Sequence, residues 1–575
     1  MTTIRPGRAA ARLVPFACFA SIALLALSVL SLAAPAGADH LPAETPAKSA
    51  AAAAQPVPLF DGLGSHRFST STKNARAQRY IDQGLILHYG FNHEEAIRSF
   101  EEAARLDPRS AMAWWGVALA HGPNINLPMD AEHGSKAATA IGRAQSLAKS
   151  APARERAYID ALARRYEAGP AAGTGTVRPG LDSAYVEAMR ALARAYPDDL
   201  DAATLFAEAL MNLRPWDHWT KDGKMQPGTE EILQVLEGVL ARAPDHPGAN
   251  HFYIHSIEAS PTPDKALPMA DRLRTLVPAA GHLVHMPAHV YMRTGRYDDA
   301  SASNQQGATA DSVYVARTGA DGVYTMMYPP HNVHFLWASL AVAGRSKEAM
   351  ASARRAASML SPETVAAMPM AEFIPPTPWF SLLRFGRWDE MLAEPAPPSS
   401  QRYVTGMWHY ARGMALASRG RAEEARVASD SLEAIAALTD PAFMVDINSA
   451  KALLELAGEV LTARLAQAAG RADEARVHLE RAVAREDDLR YAEPPAWYQP
   501  VRQLLGQALL DAARPADAER VFREDLTHYP ENGWSLYGLE RALTLQGKSD
   551  EARAVKERFA RAWARADVEL ERASF

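Results

Sequence analysis

Cysteine is almost missing. The 575 residues hold one, Cys18, inside an apolar run near the N-terminus. Beyond it no disulfide, thiolate metal site, iron–sulfur cluster or cysteine nucleophile can form, which leaves His, Asp, Glu and Met as ligands. Past Ala34 no stretch stays apolar long enough to read as a membrane span. Glycine-rich phosphate loops, nucleophile elbows and haem-attachment motifs are absent, and so is HExxH, because Phe252 follows His251. Positive charge is in deficit as well. Sixty-one Lys and Arg stand against 67 Asp and Glu, a formal net charge of −6, which makes nucleic acid a poor partner.

A chain of this length with 48% apolar residues buries a large core, as several domains or one repeat array. Its start is set apart. Arg5, Arg8 and Arg12 precede an apolar run from about Val14 to Ala34, and Ala36-Gly37-Ala38 closes it with a small-x-small cleavage site. That order predicts a secretory signal over 1–38, a mature chain beginning near Asp39, and a periplasmic or secreted protein with no membrane anchor after cleavage. Losing three arginines and no acids takes the formal charge from −6 to −9. The Ala-, Pro- and Lys-rich stretch 39–58 is too poor in large apolar residues to fold, and reads as a disordered tether.

Periodicity begins after it. Gly84, Ala96, Phe100, Ala103 and Pro108 follow one another at intervals of 12, 4, 3 and 5. Small residues at such positions let two helices approach, large ones fill between hairpins, and proline ends the second helix. The pattern resembles the 34-residue tetratricopeptide repeat. Trp114, Ala137, Ile141 and Ala144 continue the frame with a longer turn, GPNINLPMD. A second irregular loop, RPWDHWTKDGKMQPG, follows the helix at Leu205. The frame returns at Ala266, Pro278, Ala300, Ala349 and Ala356, then at Trp388, Ala425, Ala475, Ala518, Phe522 and Pro530, and closes with Trp534, Gly538 and Ala552.

The resemblance implies an all-α fold, a right-handed tetratricopeptide superhelix of roughly nine or ten hairpins with a concave groove lined by first helices. It divides into an array with inserted loops and a histidine-rich groove over 59–360, and a plainer one over 361–575. GFNHEEA, WWGVALAHGPNIN and HLVHMPAH also resemble segments of exported bacterial repeat proteins, from which no activity carries over.

Seven of the 18 histidines fall between positions 251 and 334, and they fall in phase. The motifs are His251-x3-His255-x2-Glu258, His282-x2-His285-x3-His289 and His331-x2-His334. At about 100° per residue each closes into a stripe roughly 60° wide on its own helix. In the repeat frame all eight residues take groove positions, so three patterns converge on one surface. A lone histidine on a helix is usually a packing or hydrogen-bonding residue. Seven together have the donor type and helical spacing of a divalent transition-metal site for zinc, copper, iron or manganese, with Glu258 as oxygen ligand or general base. His121, beside the inserted GPNIN loop, is a further groove candidate.

Two readings follow. One is a scaffold whose groove takes a peptide or protein of the cell envelope and carries the histidine site, as repeat proteins of this kind commonly do. The other is a metal-dependent hydrolase or oxidase built on the same scaffold. Spacing does not choose between them.

Overall fold

Phenylalanine wedged between glycines sets the packing of the repeats. A Cβ on Gly84 would sit 2.8 Å from the Phe100 ring, and one on Gly116 would sit 2.2 Å from it. Phe100 therefore fills the space between its own hairpin and the next, and only glycine at both neighbours admits it. The same triplet recurs far down the chain, where Phe522 fills the gap left by Gly506 and Gly538.

The computed structural model describes residues 57–166 and 178–575. The predicted signal segment and the tether up to 56 lie outside them. The chain runs as helices that pair in sequence: α1 (Ala75–Tyr89), α2 (His93–Leu106), α3 (Ala111–Ala120), α4 (Ala131–Leu147), α5 (Ala153–Ala163), α6 (Arg178–Ala195), α7 (Leu200–Met211) and α8 (Thr229–Arg242). Next come α9 (Pro247–Ile257), α10 (Leu267–Leu276), α11 (Gly281–His285), α12 (Pro287–Arg293), α13 (Tyr297–Thr318) and α14 (Val323–Val342). Beyond Ser346–Ser358 the later hairpins pair Arg402–Ser418 with Ala422–Leu438, Ala450–Ala468 with Ala472–Asp487, Val501–Asp511 with Pro515–His528, and Gly533–Leu545 with Ser549–Ala562. A two-residue antiparallel pair, Met444–Val445 with Asn448–Ser449, is the sheet among the described residues. The expected all-α array of helical hairpins is thus the architecture found.

Local chemistry starts the first helices. Asn74, Asn92, Ser110, Asp130 and Asp199 each accept first-turn N–H groups with their side chains. Two large apolar clusters fill most of the interior, one running from Leu63 to Ala343 and the other from Leu336 to Ala573. They meet on α14, where Phe335 belongs to the first and Leu336, Trp337 and Leu340 to the second. Among the described residues no helix is long and apolar enough to cross a membrane.

Both inserted loops are seated. In the first, Asn124 Oδ1 accepts from the N–H groups of Asn126 and Leu127, tying a tight turn. In the second, the Trp219 indole N–H donates to Ser256 O at 2.7 Å, fastening the loop onto α9.

Candidate metal centre

Each ligand-bearing helix owes its place to a local feature. Gly281 and Gly307 bring α11 against α13 so closely that a Cβ on Gly307 would lie 2.9 Å from Gly281 O. That approach presses His285 onto Asn304. Pro287 has no N–H and separates α11 from α12 between His285 and His289. Pro329 and Pro330 stand in α14 just before His331, at the usual site of a kink.

Six of the predicted histidines meet as two triads. His251, His255 and His282 form one, and His285, His289 and His331 the other; within each, one ligand nitrogen per residue lies within 4.8 Å of the rest. The triads adjoin. His282 and His285 have ring centroids 5.8 Å apart, and so do His255 and His289. His331 is half-buried and the other five are buried.

The far side of four of these rings is held. His251 Nδ1 donates to Tyr89 O at 2.6 Å, a last-turn carbonyl that α1 leaves free. His255 Nδ1 donates to Glu258 Oε1 at 2.8 Å, and His285 Nδ1 to Asn304 Oδ1 at 2.5 Å. Glu258 Oε2 lies 2.6 Å from His289 Nδ1, in contact though off the line of a straight hydrogen bond. A carboxylate oxygen that close requires a proton on the nitrogen. Each partner therefore fixes a tautomer that leaves Nε2 as a bare lone pair.

Those Nε2 atoms crowd together. His285 Nε2 is 2.9 Å from His289 Nε2 and 3.2 Å from His331 Nε2, while His251 Nε2 is 3.1 Å from His282 Nε2. With Nδ1 carrying the proton in both His285 and His289, nothing lies between their lone pairs to form a hydrogen bond. A cation between them would resolve the clash. Bonds of about 2.0–2.1 Å in a tetrahedral shell put ligand atoms roughly 3.3 Å apart, close to the separations of these three pairs.

Electrostatics agree. Burial, reinforced by neighbouring imidazoles, holds His251, His282, His285 and His331 well below the ordinary value of 6.5, and burial lowers His255 too. Burial thus favours the neutral form, the one that coordinates a metal, at these five rings. Burial pushes Glu258 up, but His289 and His255 outweigh it and hold the carboxyl at about 2. Glu258 thus lies between the triads, one oxygen against His255 and the other against His289.

Sequence reasoning placed these side chains on an open groove, and the structure buries them. Phe91 stacks on His255 and His282 at 5.8 and 5.4 Å. Trp216 meets His255 edge-on at 5.4 Å, Tyr328 lies 4.6 Å from His282, and Phe335 lies 5.2 Å from His285. Asn126, from the GPNIN loop, clasps two of these: its Oδ1 accepts from the Trp216 indole at 3.1 Å and its Nδ2 donates to Tyr328 OH at 3.3 Å. Loops that periodicity treats as interruptions are the walls.

Two predicted residues stand apart. His334 stacks on Trp337 at 5.2 Å, with Phe373 edge-on at 5.3 Å, one turn along α14 from the triads. His121 lies 5.2 Å from His133 at the foot of the first inserted loop. Residues that sequence reasoning missed are Tyr89, Asn126, Trp216, Asn304, Tyr328 and Glu493. Buried Glu493 is pushed up to about 7, with His289 and Arg293 pulling the other way. None of them carries a periodic signal.

A third cluster, His66, Asp201 and His246, also has metal-like spacing, but its atoms are paired. His246 Nδ1 accepts from Ala249 N–H at 3.2 Å, so its Nε2 carries the proton and donates to Asp201 Oδ1 at 3.2 Å. His66 Nε2 and Tyr89 OH complete the set around that oxygen at 2.9 and 2.8 Å. This is a hydrogen-bond network.

Comparison with known proteins bears on the scaffold alone. The tetratricopeptide repeat family matches residues 77–110, the hairpin of α1 and α2 with its Phe100 wedge. No curated protein matches. Among solved structures, the human IFIT1 dimer with m7Gppp-AAAA is 14% identical, the match covering 86% of this chain and 92% of that one at a TM-score of 0.33. The human IFIT1 dimer with PPP-AAAA is 13% identical over 85% and 91% at the same TM-score. Superposition that loose says nothing about a ligand. Class is therefore set by the repeat and its packing, and chemistry by the side chains above.

Proposed function

We propose that this protein is a repeat scaffold that encloses a dinuclear transition-metal centre, with His251, His255 and His282 holding one ion and His285, His289 and His331 the other. The observation that carries this reading is the facing pair of bare Nε2 atoms on His285 and His289, each imidazole keeping its proton on the far side, against a fixed acceptor.

The donor set favours copper. Every ligand is a neutral imidazole, a donor suited to copper, zinc, iron and nickel, whereas manganese prefers carboxylates that the shell lacks. Two divalent ions beside the single Glu258 carboxylate would leave an excess of roughly three positive charges in an aromatic enclosure, and two monovalent ions only about one. A three-histidine shell leaves a coordination position open, the mark of a reactive rather than a structural site. An oxidase is the function that fits. Burial of the site behind Phe91, Trp216 and Tyr328 counts against an extended peptide as its ligand. Export follows from Arg5, Arg8, Arg12 and the apolar run after them, and is part of the proposal.

Elemental analysis of the purified untagged protein, beside a His285→Ala/His289→Ala variant, tests it. Two copper ions per chain in wild type and one in the variant, whose first triad is intact and whose helical circular dichroism persists, is the expected result. Zinc taken up in preference to Cu(I) under anaerobic titration would turn the reading to a hydrolase. No metal in either protein after incubation with both ions would remove the centre and leave a protein- or peptide-binding scaffold.

A further inference from the structure

Tyr328 does more than wall the site. Its ring is 4.6 Å from His282 and stacks on Tyr324 at 4.8 Å; Tyr324 lies 5.6 Å from Tyr314. Tyr314 is 6.0 Å from Phe60, which the exposed Arg317 covers at 5.0 Å. The three tyrosines are buried and make a continuous file from the histidines to the surface.

Proton partners accompany it. Tyr324 OH donates to Asp311 Oδ1 at 2.8 Å, and Tyr314 OH to Glu95 Oε2 at 3.4 Å. Asp311 and Glu95 are both buried, and burial raises both carboxyls, Asp311 to about 7. Phenylalanine in these positions would pack as well without two buried carboxylates, each costly to desolvate. A crevice lined by Phe60, Asn92, Asp311, Tyr314 and Tyr324 flanks the outer end.

We propose that Tyr328, Tyr324 and Tyr314 form a conduit that carries oxidising equivalents from the histidine-bound metal pair to the surface at Phe60. It rests on the proposed centre, with dioxygen or hydrogen peroxide as its oxidant. Tyr324 loses one electron, which passes through Tyr328 to the oxidised centre, and its hydroxyl proton goes to Asp311. Tyr314 then gives an electron to Tyr324, Asp311 returns the proton, and the Tyr314 proton goes to Glu95. The sum is one electron moved inward from Tyr314 and one proton moved onto Glu95. A one-electron donor of the ascorbate type, meeting the surface at Phe60, resets the file as Glu95 returns the proton to Tyr314.

The test loads the whole protein with copper, reduces it, mixes it with hydrogen peroxide without substrate, and freezes it for electron paramagnetic resonance. Wild type is expected to give a tyrosyl signal that ascorbate quenches. Tyr328→Phe should lose it, while Tyr314→Phe should confine it to Tyr324, with altered hyperfine structure and slower quenching. Copper content should be equal in all three. Peptide mass mapping should also find more oxidation of the ligand histidines in Tyr328→Phe, which a merely structural role would not produce. Full copper with no protein radical in wild type, or the same signal in every variant, would overturn the conduit and leave the centre standing. Absence of bound copper by elemental analysis would overturn both.

Discussion

Two groups of histidine, one around Asp201 and one around Glu258, both have ligand spacing, and they differ in where the protons are. Around Asp201 each hydrogen has an acceptor: His66, His246 and Tyr89 all point at one oxygen. Around Glu258 the hydrogens are drawn outward to Tyr89 O, Glu258 and Asn304 Oδ1, and the lone pairs are left facing one another. Spacing alone would assign both to metal. The second partner of each ring separates them.

The contrast is broken most directly by losing the ligands. Removing His285 and His289 should abolish the second triad's share of metal-dependent stabilisation, about 3 kcal/mol for one site at a hundredfold excess of ion over Kd; thermal melts with and without metal read it. His66→Ala should keep that stabilisation in full. Asp201→Ala attacks the other side. It leaves His66, His246 and Tyr89 without their acceptor, and should cost about 3–5 kcal/mol in urea unfolding while metal content stays constant.

A gentler change sharpens the difference. Glu258→Gln keeps the shape but weakens the hold on His255 and His289, so metal affinity by competitive titration should fall about 10–100-fold. Next comes pH. Imidazoles held below 6.5 stay neutral in the folded metal-free protein and take up protons when it unfolds. Stability from the triads is therefore present at neutral pH and lost as pH falls below about 6.5. His66 runs the opposite way: Asp201 raises it against burial, so its contribution is lost as pH rises through its folded value. Melts of metal-free wild type and His66→Ala across pH 5 to 8 should separate the two signs. The smallest effect is at the clasp. Asn126→Ala removes two hydrogen bonds to Trp216 and Tyr328 and should cost about 1–2 kcal/mol with a shift in tryptophan fluorescence.

Much of this was legible in the chain. Gly84, Ala96, Phe100 and Ala103 announced the first hairpin because the wedge needs those sizes at those intervals, and Phe522 repeated it. The phase of His251 with His255, and of His282 with His285 and His289, announced a shared surface. What covers that surface was not legible. Helical periodicity says which way a side chain leaves its own axis, not which distant loop folds over it, so a buried chamber read as an open groove. The division of six histidines into two triads, with His334 left against Trp337, depends on the crossing of α11 and α13 at Gly281 and Gly307. No stretch of sequence holds both sides of that crossing. Asn126, Asn304 and the carbonyl of Tyr89 act through single contacts across long separations, which leave no pattern.

The bond from His251 to Tyr89 O spans 162 positions. Until the first hairpin docks against α9, the His251 ring is free to present either nitrogen, and an ion arriving early meets a ligand with no preferred face. In the proposed centre, the earliest repeat to be synthesised therefore sets the face of a donor that is made much later.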